Sequence, residues 1–426
     1  MEREFANDGL AEIVWESFAR SHDFDGISLS GLVRISTLDL ETLKQKLGLL
    51  IREDKVTLAF ESISENPHIK RLKDLPLELQ ISQMENEAPD GICVYPSSTI
   101  AAARIGNSFD DRPYTRRLAL AEPQLLPVFF ELPVLERYFR DPRYLCWFGD
   151  SNGSISIGNK AYESEETRER DKITIQSFGI GYDSKRRRVV AVFLRYLSDL
   201  SAEHQMYWKT HEVDERCTMN SDYERASIWG AWPEHYSVYI AFIEEQIEIN
   251  KLCELIGKPP LFKETYDSHK RPIQFCSMLR PTQGSFDNFV HLLDKMISDN
   301  INREFFKGDI PLEESIPRKD GTVEVRQLGT LSLLERWLKR HYRNRDNKDI
   351  SAETVAPFKK IRKSRQPIAH AIGKDEFDPC LPAKQDELLI EVKIGLTRFR
   401  WILSSHPDAS SHQAPEWLDG DKIVLY

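Results

Sequence analysis

Cysteine is scarce and scattered. The six present (Cys93, Cys146, Cys217, Cys253, Cys276, Cys380) form no C-x-x-C pair, which leaves neither a zinc ribbon nor a disulfide framework to staple the fold. No uninterrupted apolar run reaches the roughly 18 residues that a membrane-spanning helix requires. The opening residues, MEREFANDGL, are acidic and lack the apolar stretch of a secretory signal, which predicts a cytoplasmic protein with no membrane partner. Neither phosphate-cradling pattern, G-x-x-x-x-G-K-[ST] nor G-x-G-x-x-G, occurs. Positive charge is in deficit: 58 Lys and Arg stand against 68 Asp and Glu, a formal charge of −10. That argues against a surface coated in nucleic acid and leaves room for one local basic groove. What the chain does have is enough apolar residue, 40% of 426, to bury cores in two to four domains of about 100–200 residues each.

The pattern along the chain predicts an α+β protein in three parts with a tail. Over residues 1–85 an apolar stripe (Leu10, Ile13, Val14, Phe18) recurs at helical spacing. A second short segment with Leu29, Leu32 and Val33 follows, then a third helix opened by Thr37 and Asp39 and carrying Leu40, Leu43, Leu47 and Leu50. The alternation from Lys55 to Phe60 then reads as a strand. Helix, helix, helix, strand is the order of a winged helix-turn-helix, so this part is expected to be a winged-helix-like unit. Lys44, Lys46 and Arg52 on its third helix are offset by Glu41 and Glu53, so DNA contact, protein contact and plain packing all remain open there.

Residues 86–282 are expected to be a mixed α/β region that senses a ligand or binds a partner. Short apolar runs such as Ile92-Cys93-Val94-Tyr95-Pro96 are punctuated by Pro and Gly. The plainest element is a hairpin, 173–182 against 188–194, with the polar, basic turn Asp183-Ser184-Lys185-Arg186-Arg187. A helix is expected near 234–256. Met206-Tyr207-Trp208-Lys209 and the pair Trp229, Trp232 could line an aromatic pocket or simply pack a core. Residues 283–405 carry four amphipathic stripes: Phe286 to Ile297, Val325 to Leu338, Val355 to Ile368, and Leu388 to Leu403. These predict a helical bundle. The tail, 406–426, is polar until Lys422-Ile423-Val424-Leu425-Tyr426, which suggests an edge strand.

Within the third stripe of the bundle stands Arg362-Lys363-Ser364-Arg365-Gln366-Pro367-Ile368-Ala369-His370-Ala371-Ile372. A helical bundle bearing Arg-x(4–6)-His resembles the HEPN superfamily of ribonucleases and RNA-linked proteins, and the resemblance covers about the last third of the chain. It implies that Arg365 and His370 are a catalytic pair, with Gln366 as the polar neighbour where the family usually has Asn, Asp or His. It also implies a homodimer through residues 283–405, cleavage without metal or cofactor, and a regulated toxin or anti-phage effector triggered through residues 1–282. The alternative is a bundle that keeps the fold and binds RNA or a partner without catalysis. Arg336 to His341 and Arg400 to His406 share the spacing, but each arginine is followed by Trp, and only Arg365 by a polar residue.

Metal-free RNA cleavage uses the ribose 2′-hydroxyl as nucleophile and needs a proton-transfer group and a cation. Histidine, with an ordinary pKa near ~6.5, supplies the first, and the forked, permanently charged guanidinium supplies the second. Residues five apart on a straight helix point about 140° away from each other, so Pro367 is expected to kink or restart the helix between the pair. Lys359, Lys360, Arg362 and Lys363 crowd around the motif and are the expected RNA-binding residues, with a second basic island at Arg336, Lys339, Arg340, Arg343 and Arg345.

Overall fold

In a computed structural model, residues 7–267, 271–318, 322–343, 346–368 and 374–426 are described. The chain is mixed α+β, with helix predominating, and it divides into two units, Met1–Cys146 with Gly153–Met219 and Trp147–Asn152 with Asn220–Tyr426.

The first unit begins with three helices, Asn7–Arg20, Leu29–Ser36 and Leu40–Arg52, whose leucine stripes close on one core with Leu10, Val14, Leu32, Leu43 and Leu47 buried. Ser28 caps the second helix by accepting from the Gly31 amide, and Asp39 caps the third by accepting from Thr42, as short oxygen-bearing side chains do at orphaned helix donors. A three-stranded antiparallel sheet backs these helices, in the order Ile27–Ser28, Ile92–Pro96, Val56–Phe60. Ile92–Pro96, grouped by sequence pattern with the middle region, is therefore the central strand of the N-terminal sheet. Its unbroken apolar run fits burial on both faces. Between the last two strands in sequence lie the helices Glu61–Ser64 and Leu77–Asn86.

The rest of this unit is built on a six-stranded sheet in which Pro127–Glu131, Arg188–Phe193, Thr174–Tyr182, Asn152–Ile157 and Tyr144–Phe148 follow one another, with Thr218–Met219 paired to Thr174–Tyr182. The hairpin expected from sequence is present with Tyr182 opposite Arg188. Asp183 closes its turn by accepting from the amides of Lys185 and Arg187, each at 2.8 Å.

The second unit packs five long helices around one core: Val238–Leu255, Gln283–Asp294, Thr330–His341, Ser351–Ile368 and Leu381–Ser404. Val238–Leu255 lies along Leu381–Ser404, so this helix, also grouped by pattern with the middle region, belongs to the C-terminal core. A glycine sets one close approach. A Cβ on Gly395 would stand 3.1 Å from the Phe358 ring and 3.3 Å from Pro357, so Gly lets the Ser351–Ile368 and Leu381–Ser404 helices meet there. The stripe beginning at Val325 divides differently from its expectation. Val323–Gln327 is a strand paired with Glu313–Pro317, and the helix starts only at Thr330. Valine alternating with Glu324 and Arg326 has a period of two, which local backbone preference follows here. In the tail, Ile423–Val424 pairs in parallel with Tyr236–Ser237. Among the described residues, no helix is long and apolar enough to cross a membrane.

Candidate functional site

The helix Gln283–Asp294 starts at a Thr282 cap and continues into a π-helical turn, Lys295–Asp299. Such turns occur mostly as single insertions, often near functional sites. Asp294, the last residue of the α-helix, and Asp299, the last of the wider turn, both reach the Ser351–Ile368 helix. Arg365, in the last turn of that helix, donates through Nη1 to Asp294 Oδ2 at 2.6 Å and to Asp299 Oδ2 at 3.2 Å. Asp294 is fully buried, while the Arg365 side chain is 25% exposed. The hydrogen bond that Arg365 donates to Asp294 is the main influence raising the guanidinium above its ordinary pKa. Arg365 is therefore a fixed, fully charged group with one face toward solvent.

Asp299 also faces Arg362 at 3.7 Å. It lines an open cleft of about 310 Å³ with Lys263, Glu264, Tyr266, Lys295 and Asn300. Arg365 itself does not line this cleft; Asp299 stands between them. Lys263 donates to the Asp299 carbonyl at 2.7 Å, and Asn300 and Glu264 exchange two hydrogen bonds, so the wall is rigid and of mixed charge. Several buried side-chain atoms have no hydrogen-bond partner among the described residues, and Asp294 Oδ1 and Ser298 Oγ on this segment, with Gln246 Oε1 beside it, are among them. Gln246 donates across to the Met296 carbonyl at 2.8 Å.

The other residues expected from sequence fall as follows. Gln366 and Lys363 are exposed, and Lys363 has no ion-pair partner among the described residues. Lys359 is paired with Glu335 at 2.6 Å and Lys360 with Glu391 at 2.7 Å. His370 lies outside the described residues. The Ser351–Ile368 helix runs through Pro367, so the proline falls in its last turn and does not open a new helix within the described residues. In the second island, Arg336 pairs with Glu314, Lys339 faces Asp349 at 3.8 Å, and Arg345 lies outside the described residues.

Of the rival motifs, only Arg400 is buried, whereas Arg336 and His341 are exposed and His406 is half-buried. Arg400 is buried, with Nε on Glu245 at 2.7 Å and Nη1 on Asp419 at 3.2 Å. The His341 ring lies tilted by 35° beside Trp337, with centroids 5.2 Å apart, and faces Asp309 at 3.7 Å. Of the aromatic candidates, Trp208 is core, donating to the Tyr138 hydroxyl at 2.8 Å. Trp229 and Trp232 are exposed.

Sequence pattern did not single out Asp294 or Asp299. A signal was present, because Asp294 interrupts the buried stripe between Leu293 and Met296, and a carboxylate on a core face needs a cation. Nor did it find the His22, Asp23 and Asp199 group in the first unit, whose ligand atoms lie within 4.8 Å of one another. There Asp23 is already bound to Arg195 at 2.7 Å, a cation where a metal ion would be repelled. No family model, curated protein or solved structure matches the chain.

Proposed function

We propose that the second unit is a HEPN-type bundle that cleaves RNA without a metal, and that the first unit opens with a winged-helix-like element through which a protein or ligand regulates it. The observation that carries this reading is the placement of Arg365: the guanidinium is held across the bundle by a buried aspartate, in the last turn of the Ser351–Ile368 helix and five residues before His370 in the sequence. In the proposed reaction the ribose 2′-oxygen bonds to phosphorus and the bond to the 5′-oxygen breaks. The products are a 2′,3′-cyclic phosphate and a 5′-hydroxyl end. His370 moves the proton, and Arg365 offers donors to the phosphorane oxygens, where charge develops. Lys363, exposed beside the motif, would meet the phosphate backbone. Cleavage of this kind is toxic when unregulated, which fits a defence effector or toxin that works as a homodimer.

A second reading has its own support. Arg365 is neutralised by two carboxylates, and Lys359, Lys360 and Arg362 also face acidic partners. A bundle that binds RNA or a partner without cleaving it would carry such pairs at no loss. Incubating the full chain with total RNA in excess EDTA separates the two. Fragments with 5′-hydroxyl ends are expected of the nuclease, and intact RNA is expected of the binding module.

A further inference from the structure

The ribbon formed by Glu313–Pro317 and Val323–Gln327 is exposed along nearly all its length. An isolated two-stranded ribbon is marginal in water, and an exposed strand edge is a template for another strand. Its own pairing fixes which groups are free. Arg318 donates to the Thr322 carbonyl and Leu328 to the Leu312 carbonyl, and the register between them pairs Ser315 with Val325 and Ile316 with Glu324. In an antiparallel ladder, hydrogen-bonded pairs alternate with non-bonded ones. Glu324 and Arg326 therefore turn their backbone groups inward, and Val323, Val325 and Gln327 turn theirs outward. The opposite edge of the ribbon is blunted, because Pro317 is one of its outward positions and has no N–H.

We propose that the Val323–Gln327 edge pairs with the same edge of a second copy, antiparallel and centred on Val325. The sequence of this strand, Val-Glu-Val-Arg-Gln, is self-complementary about that centre. Val325 meets Val325 and Val323 meets Gln327, and each outward pair exchanges two backbone hydrogen bonds. Glu324 falls opposite Arg326 of the second copy, twice by symmetry, in the non-bonded positions where side chains come closest. Arg326 has no ion-pair partner among the described residues, and Glu324 has only Arg318 of its own chain, at 3.0 Å. Val323 and Val325, 61% and 59% exposed, share a face. The resulting four-stranded sheet gives that face a continuous apolar strip. This interface stands whether or not the chain cleaves RNA, although the nuclease reading also calls for a homodimer.

Charge variants test the register. In light scattering over a concentration series, the parent chain is expected to reach a dimer. Glu324→Arg alone and Arg326→Glu alone each set like charges opposite one another at two positions, so each is expected to weaken the dimer roughly tenfold or more. Mixing the two single variants restores opposite charges at both positions and is expected to restore the dimer, as is the double exchange in one chain. A parent chain that stays monomeric overturns the proposal. So do single variants that dimerise like the parent, which would place the contact elsewhere, or a mixture that does not recover. RNA cleavage is read separately, so either idea can fail without the other.

Discussion

Replacing Arg365 by alanine removes more than a candidate catalytic group. Asp294 is fully buried, and the 2.6 Å bond from Arg365 is its charge partner. Breaking a buried ion pair from one side costs about 3–5 kcal/mol, because the remaining charge is left without compensation. Arg365 is one quarter exposed and Asp299 faces water, which places the loss for Arg365→Ala near the lower end, about 3 kcal/mol. Asp294→Asn removes the buried charge and leaves Arg365 its pair with Asp299, so it should cost less. In the Asp294→Asn background, Arg365→Ala should cost under about 1 kcal/mol, the worth of an exposed pair. The double-mutant cycle by urea unfolding should then give a coupling of about 2 kcal/mol. Additive single effects would refute the claim that Asp294 holds Arg365. A practical consequence follows. Lost RNA cleavage in Arg365→Ala means little until its stability has been measured, and the double variant is the better catalytic probe.

Two further outcomes are expected. The His204 imidazole in the first unit is buried with Tyr138 and Arg137, and burial, then the Arg137 charge, push its pKa down to about 4. The unfolded chain takes up this proton near pH 6.5 and the folded chain only near 4, so stability should fall by about 3 kcal/mol as pH drops across that window. His204→Gln should flatten the slope, and an unchanged slope in urea melts would exclude His204 as its source. For RNA binding, Lys363→Ala should lower the slope of log K against log salt by about one unit, as expected for one lost phosphate contact. Lys359→Ala, whose lysine is held by Glu335, should leave it nearly unchanged. Equal effects of the two would remove the distinction drawn from their ion pairing.

Much of the fold was legible wherever burial imposes a period. The stripes at Leu10 to Phe18, Phe286 to Ile297 and Leu388 to Leu403 each became helical with most of that face in a core. The hairpin at 174–193 was legible because β-branched arms flank a turn that Asp183 can close. Partnership between distant segments was not legible. Nothing local in Ile92–Pro96 says that it joins Val56–Phe60, and nothing in Val238–Leu255 says that it packs on Leu381–Ser404. The stretch from Val325 reads as helix because Val325, Leu328 and Leu331 fall at helical spacing, while Val323 and Val325 stay exposed in a ribbon. At the candidate site, the motif pointed to Arg365. Its carboxylate partners are contributed by a helix about 70 residues earlier, and a spacing rule cannot reach them.

His370→Ala in the full chain, assayed on total RNA in EDTA with stability followed in parallel, tests the central claim most directly. The account predicts a fall in cleavage of at least ~100-fold, the low end for loss of a general acid–base, with unfolding unchanged and His406→Ala still active. Cleavage by His370→Ala at the parent's rate would contradict it.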